Sequence, residues 1–203
     1  MKRDAPAPGR RERRKRATRQ ALLDAALELF GERGLYVTRV EDVTERADVA
    51  KGAFYNYFDS KTALVAALVA ESAELLDERL RAAPPAAGLP ARLDAVALAH
   101  ERFFRAAPGR ALVFHQARGL LEVDDEATPQ LQAAFTDYLG KLARYLFPDE
   151  PKLTPAQLDA ASATAGAIAG YRSFKRAAGL TTRGAEVARL LVAGVPGLTA
   201  HRE

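Results

Sequence analysis

The sequence predicts an all-α fold of about nine helices, a small amino-terminal unit followed by a larger helical body. Three observations carry that expectation. Apolar residues recur at steps of three and four along most of the chain, alternation with period two never persists, and Thr, Ser, Asp, Gly and Pro punctuate the periodic stretches where helices start and stop. The 203-residue length and 48% hydrophobic content leave room for one large domain, or a small domain joined to a larger one.

The elements follow in order. Residues 1–16 carry Pro, Gly and a charge run without apolar periodicity, which reads as a flexible arm. Thr18 is placed to cap a first helix through Leu22, Ala26, Leu29 and Phe30, with Gly34 as its left-handed stop. Thr38 is placed to cap a short second helix with Val40, Val43 and Ala47 on one side. A third short segment, Ala50 to Tyr57, sets Phe54 and Phe58 four apart. Ser60 or Asp59 then caps a long fourth helix through Leu64, Leu68, Leu75, Leu76 and Leu80. Pro84, Pro85, Gly88 and Pro90 read as a loop. Beyond it a fifth helix carries Leu89, Leu93, Val96, His100 and Phe103 and ends at Pro108-Gly109, and a sixth covers roughly 110–121. Acidic Asp124-Asp125-Glu126 precedes Thr128-Pro129, the start of a seventh through Leu131, Phe135, Tyr138, Leu142 and Tyr145. Thr154-Pro155-Ala156-Gln157 is a capping-box start for an eighth helix of about six turns, and a ninth near 183–195 carries Val187, Leu190, Leu191 and Val195. The expected organisation is therefore a basic arm at 1–17, a small helical domain at 18–62 and a helical body at 63–203.

Charge is unevenly shared. Residues 1–61 hold 14 Lys and Arg against 10 Asp and Glu, so the whole net charge of +4 resides in the first third, and residues 1–19 alone hold 9 basic against 2 acidic side chains. A basic end beside a neutral body points to a polyanion, nucleic acid or an acidic membrane surface. The chain has no Cys, which excludes disulfides, cysteine-zinc sites and thiol nucleophiles. Three His without metal-ligand spacing, and the absence of a Gly-x-Ser-x-Gly or phosphate-cradling Gly loop, lead us to expect no metal, no cofactor and no enzyme activity. Residues 1–19 lack the apolar stretch of a signal peptide and no apolar run reaches the ~18 residues of a membrane span, so a cytoplasmic protein without a membrane partner is expected.

The stretch Thr38 to Lys61, TRVEDVTERADVAKGAFYNYFDSK, concentrates the chemistry. Two helices this short are unstable alone and must share a core with a longer one. Val40, Val43, Ala47, Val49, Phe54 and Phe58 can point inward together, leaving Lys51, Gly52, Tyr55 and Asn56 on the outer face of the third helix. A cation, an aromatic hydroxyl and an amide held by a tight turn suit a helix-turn-helix entering a major groove.

Residues 18–68 resemble the amino-terminal DNA-binding domain of the TetR (tetracycline repressor) family: a first helix of the type ALLDAALELFGERG, then T-x-V-E-D-V-T-E-R-A, a turn, and K-G-A-F-Y-N-Y-F-D-S-K. The resemblance implies a homodimeric, ligand-responsive regulator that binds an inverted-repeat double-stranded operator, most often a repressor, with an unidentified small-molecule effector. By position it implies that Tyr55 and Tyr57 contact phosphate or bases, that Lys61 binds phosphate, that Thr38 caps a helix and touches the DNA backbone, and that Arg39, Lys51, Gly52, Ala53 and Asn56 belong to the same surface. Two positions depart from the pattern. Asp48 stands where the turn usually has Gly, which Asp tolerates better than most residues, and Ala50 replaces the usual Ser or Thr cap.

In the body, His100, Phe103, Phe104, Phe114, His115, Arg118, Tyr138, Tyr171 and Phe174 are the candidate lining of a pocket for a largely apolar ligand, the alternative being that these rings fill the core and His100 is a hydrogen-bonded core residue. Ser162, Gly166, Ala169, Gly170 and Ser173 form a small-residue strip on the eighth helix. With Val187, Leu190 and Leu191 of the ninth they are the candidate dimer face, the alternative being packing within one chain. Two other functions stay open at this point: a non-specific nucleic-acid or anionic-surface binder using the arm alone, and a helical enzyme.

Overall fold

The computed structural model describes residues 9–84, 86–122, 128–181 and 184–193. Among these, nine α-helices and no strand are found: α1 (Arg10–Arg33), α2 (Val40–Arg46), α3 (Lys51–Phe54), α4 (Lys61–Ala82), α5 (Gly88–Ala106), α6 (Pro108–Gln116), α7 (Thr128–Leu146), α8 (Pro155–Ala177) and α9 (Gly184–Ala193), with a 3₁₀ segment, Ala117–Glu122, after α6. The all-α expectation holds. Asp124, Asp125 and Glu126, and residues 1–8 of the expected arm, lie outside the described residues.

The arm is shorter than expected. Helix α1 begins at Arg10, so residues 10–17 are its first two turns, and Thr18 is no cap but donates its hydroxyl to the Arg14 carbonyl one turn back, at 3.1 Å. Arg, Lys, Glu and Ala are good helix formers, and a helix already nucleated by the buried stretch Leu22, Leu23, Ala25, Ala26, Leu29 and Phe30 propagates outward through them without any apolar stripe.

Helix α2 is not capped by Thr38. That residue is fully buried and its hydroxyl donates to the Gly34 carbonyl at 2.8 Å, while Asp42 reaches back to accept from the Arg39 amide at 2.7 Å. The turn into α3 passes through Asp48 at φ 53°, the left-handed conformation that the missing glycine left to it. Only Lys51–Phe54 is regular helix, with turns continuing to Tyr57. Ser60 caps α4 as expected, accepting from the Ala63 amide at 3.1 Å.

Helix α4 is the spine. Its first half, Ala63 to Val69, is buried with Phe30, Leu35, Val43, Phe54 and Phe58; its second half, Ala73, Leu76 and Leu80, is buried with Val96, Phe103, Leu142 and Ile168. Phe114 and Phe135 pack against both clusters. Two proline readings change. Pro90 sits in the first turn of α5 and Pro108 opens α6, positions where the missing amide hydrogen had no helical partner to lose.

Helices α1 and α6 cross at glycines. Gly31 faces the backbone of Gly109, and a Cβ on Gly109 would overlap the carbonyl oxygen of Leu27. Because that neighbour is backbone, relief requires a helix to shift. We expect Gly109→Ala to lower stability by about 1 to 3 kcal/mol. Gly140→Ala, whose Cβ would meet only the flexible end of Arg144 at 3.7 Å, should leave stability equal or slightly raised. Urea unfolding of the two variants measures the contrast.

Candidate nucleic-acid interface and adjoining cavity

The outer face of α3 presents Lys51, Gly52 and Asn56 exposed, Tyr55 at 54% exposure, and Ala53 half-buried. Tyr55 stands edge-on to Phe54, ring centroids 5.3 Å apart, so a buried phenyl aims an exposed phenol. Lys51 is in an ion pair with Glu41 of α2 at 2.6 Å, which holds the Glu41 carboxyl below its ordinary range and raises the ammonium of Lys51. Arg46 bridges back to Glu28 and Glu32 of α1 at 3.1 and 3.0 Å, and Arg33 meets Asp42 at 2.7 Å, fixing α2 against α1. Arg39 is exposed beside this surface, as are Arg10, Arg11, Arg13, Arg14, Lys15, Arg16 and Arg19 along α1.

Three expected contacts are placed differently. Thr38, wholly buried, offers no atom to a nucleic acid until the loop before α2 moves. Tyr57 is half-buried against the head core. Lys61 turns inward: its ammonium donates to the carbonyls of Leu35 and Thr38 at 3.2 and 3.1 Å, and desolvation lowers its pKa. A cation at the start of α4 finds stronger partners in those loop carbonyls than in the helix terminus, whose dipole repels it.

The same loop is tied to the body. The Gln116 side-chain oxygen accepts from the Leu35 amide at 2.7 Å, and the Tyr36 hydroxyl donates to the Gln116 carbonyl at 3.1 Å. Arg110, also on α6, reaches α4 through Ser72 Oγ at 2.9 Å and Glu71 at 2.7 Å.

Helix α6 also walls a cavity of ≈ 1280 Å³ bounded by α5, α6, α7 and α8. Six expected residues line it: His100, Phe104, Phe114, His115, Arg118 and Tyr138. Three do not. Phe103 is buried in the core beneath the guanidinium of Arg79, 4.9 Å from its ring centroid; the Tyr171 hydroxyl donates to Glu186; and Phe174 is 80% exposed. Helical periodicity places a residue on a face, but the face of α8 that carries Phe174 is left open among the described residues.

His100 and Tyr138 form a buried polar pair at the cavity wall. Val96 O, 2.7 Å from Nδ1, can only accept, so Nδ1 carries the hydrogen and Nε2 accepts from the Tyr138 hydroxyl at 2.7 Å. Burial pushes the imidazole pKa down to about 4 and raises that of Tyr138. Both groups are neutral near pH 7. Among the described residues no group of His, Asp and Glu is arranged to hold a metal, and no helix is long and apolar enough to cross a membrane.

The small strip of α8 is divided. Ser162, Gly166, Ala169 and Ser173 border the cavity, and a Cβ on Gly166 or Gly170 would meet no atom within 4 Å. Val187 is buried within the chain and Leu190 half-buried, whereas Leu191 at 38%, Val192 at 50%, Leu180 at 58% and Phe174 lie open.

Residues 22–68 match the family described as bacterial regulatory proteins, tetR family. Over that stretch the chain is similar to this family. Its TetR-type segment contains the exposed α3 surface, the Asp48 turn and the Lys61 anchor. Among characterised relatives, the transcriptional repressor KstR of Rhodococcus jostii is 34% identical over 126 residues, and KstR of Mycolicibacterium smegmatis is 36% identical over 121. The alignments span 60% and 56% of this chain but only 57% of the length of each KstR protein. In three dimensions the chain is similar to the transcriptional regulator FadR from Bacillus subtilis, solved in complex with stearoyl-CoA, with TM-score 0.67, 22% identity, and 87% of this chain and 98% of that one covered. At that identity the likeness is one of fold.

Several residues that make the arrangement work were not legible in the sequence. Gln116, Tyr36, Gly31 and Gly109 act only through contacts some 80 positions apart, which no local pattern marks. Arg172 and Arg176 of the cavity wall sit one turn apart on α8, a spacing visible in the sequence but indistinguishable there from a solvated face.

Two outcomes test this geometry. Tyr55→Ala should weaken DNA binding with the thermal midpoint nearly unchanged. Lys61→Ala should lower the midpoint as well, since two charge-assisted bonds holding the loop before α2 are lost, each worth about 1.5 kcal/mol or more before screening at this half-buried site. Gel shifts and calorimetry on both variants separate the two roles. For His100, the folded pKa lies below the unfolded value of ~6.5, so the unfolded chain takes up the proton first and stability falls as pH drops through the window from about 6.5 to about 4. The unfolding free energy from urea titration should therefore fall by on the order of 2 kcal/mol between pH 7 and pH 5. The loss should be smaller in His100→Gln.

Proposed function

We propose that this chain is a sequence-specific DNA-binding transcriptional regulator, a repressor that leaves an inverted-repeat operator when a small, largely apolar molecule fills the cavity, and that it catalyses no reaction. One observation carries the reading: α6 belongs to both sites. It supplies Leu112, Phe114 and His115 to the cavity wall, and through Gln116 and Gly109 it touches the loop and helix on which the α3 surface is mounted. A ligand that displaces α6 re-aims the head, and release follows if it binds the displaced form more tightly than the DNA-bound form. The names of the KstR repressors and the stearoyl-CoA held by FadR support the two halves of this reading.

A head over 18–62 and a regulatory body over 63–203 is the division that suits this mechanism, although α4 is shared by both cores. Inverted-repeat recognition calls for a twofold dimer. Phe174, Leu180, Leu191 and Val192, apolar and exposed, support an interface at the α8–α9 end, beside the small-residue strip. Chromosomal DNA as partner places the protein in the cytoplasm.

The test uses full-length protein and duplexes selected from a random DNA pool. Selected duplex should stay bound in excess random DNA, and Phe174→Asp with Leu191→Asp should yield a monomer by light scattering with much weakened binding. Loss of the selected duplex to random DNA would leave a non-specific binder using the basic end of α1. Intact dimers in the double variant would move the interface elsewhere.

A further inference from the structure

The cavity wall is chemically one-sided. Its titratable side chains are Arg105, Arg118, Arg172, Arg176, His100, His115 and Tyr138, and no Asp or Glu lines it among the described residues. His100 is neutral and already satisfied by Val96 and Tyr138. On the other side His115 Nδ1 lies 3.5 Å from Arg118. The unusual group is Arg172. It is half-buried, donating to the His100 carbonyl at 3.3 Å and lying over the face of Phe104, whose centroid is 5.8 Å away. Desolvation lowers its pKa, Glu101 partly restores it, and the neighbouring cations Arg105 and Arg176 lower it further. Glu101, the acid behind this cluster, is already paired with Arg105.

Three guanidinium groups stand at this wall, Arg105 and Arg176 exposed and Arg172 half-buried, and an anion among them would relieve their mutual repulsion. Guanidinium is the cation whose planar fork fits a carboxylate or a phosphate. The chamber behind is too large for a free inorganic anion: ≈ 1280 Å³ exceeds the roughly 300–1,000 Å³ of common small-molecule sites, and its inner wall is Phe104, Phe114, Phe135 and Leu139.

We infer that the cavity takes an anionic amphiphile, its carboxylate or phosphate head at Arg105, Arg172 and Arg176 and its apolar body against the phenylalanine wall. This rests on the cavity being the effector site. The head adds a second counter-charge to that of Glu101 beside Arg105, Arg172 and Arg176, and the body replaces solvent along α6.

The experiment measures binding to full-length protein and release of operator duplex by fluorescence anisotropy, with every probe below its micellar concentration. The probes share a chain and differ in head: oleate, oleyl phosphate, oleoyl-CoA and the neutral oleyl alcohol. At least one acidic probe should bind about tenfold or more tightly than the alcohol and release the duplex, and the preference should shrink in Arg172→Gln and in the Arg105→Gln, Arg176→Gln double variant, each checked for native helix content. Preference for oleate identifies a carboxylate head; preference for the other two identifies phosphate. Ala165→Trp, which narrows the chamber, should weaken binding of every probe, and acidic probes whose affinity it leaves unchanged are held elsewhere, which overturns the inference. If the alcohol binds and releases as well as the acids, the anionic head is wrong while the effector site stands. If no probe binds wild type, the effector site falls with it.

Discussion

The close crossing of α1 and α6 is the constraint on which the molecule turns. It exists because two glycines meet there, and Gly109 lies against backbone rather than a side chain that can swing away. From that crossing the remaining arrangement follows. Gln116 arrives within hydrogen-bonding distance of Leu35, the loop before α2 is pinned from one side by Gln116 and from the other by Lys61, and α3 inherits its orientation from that loop. The aromatic pair Phe114 and Phe135, packed against both buried clusters, makes the junction part of the core rather than a hinge between separate bodies.

The helical architecture was legible because burial imposes a period, and each of the long helices reads its own contacts in steps of three and four. The helix-turn-helix was legible for a different reason: short elements sharing one small core leave little choice of residue, so Val43, Phe54 and Phe58 inward fix Tyr55 and Asn56 outward. What failed were inferences from a residue's type without its partner. Thr38 is a good cap by chemistry, yet a carbonyl four residues earlier took its hydroxyl. Lys61, given to phosphate by its place in the resemblance, points its ammonium at two loop carbonyls, a contact no sequence pattern marks. Phe174 has the right ring for a ligand wall but the wrong azimuth on its helix.

Positive charge is used in two opposite ways. On α1 and α3 the cations are solvated, cheap to maintain and either spread along a helix or paired with a neighbouring acid, as Lys51 is with Glu41. At the cavity wall Arg172 is half-buried and partly desolvated, with the exposed Arg105 and Arg176 near enough to lower its pKa further. The first arrangement suits a long polyanion read through many weak, salt-sensitive contacts, and the second suits a single anion held by a few strong ones. The neutrality of the His100–Tyr138 pair keeps the deep end of the cavity free of charge, so the electrostatic asymmetry runs from mouth to floor.

The helical start of α1 sets a length. Had the segment from Arg10 to Ala21 been an extended tether, its twelve residues would sweep a radius of about 40 Å; wound as helix they advance about 18 Å along a fixed axis. Its arginines are thus carried on a short rigid rod that projects from the head in one direction. In the DNA complex proposed above, the backbone phosphates within their range would be a definite few rather than any of those along the flanking duplex.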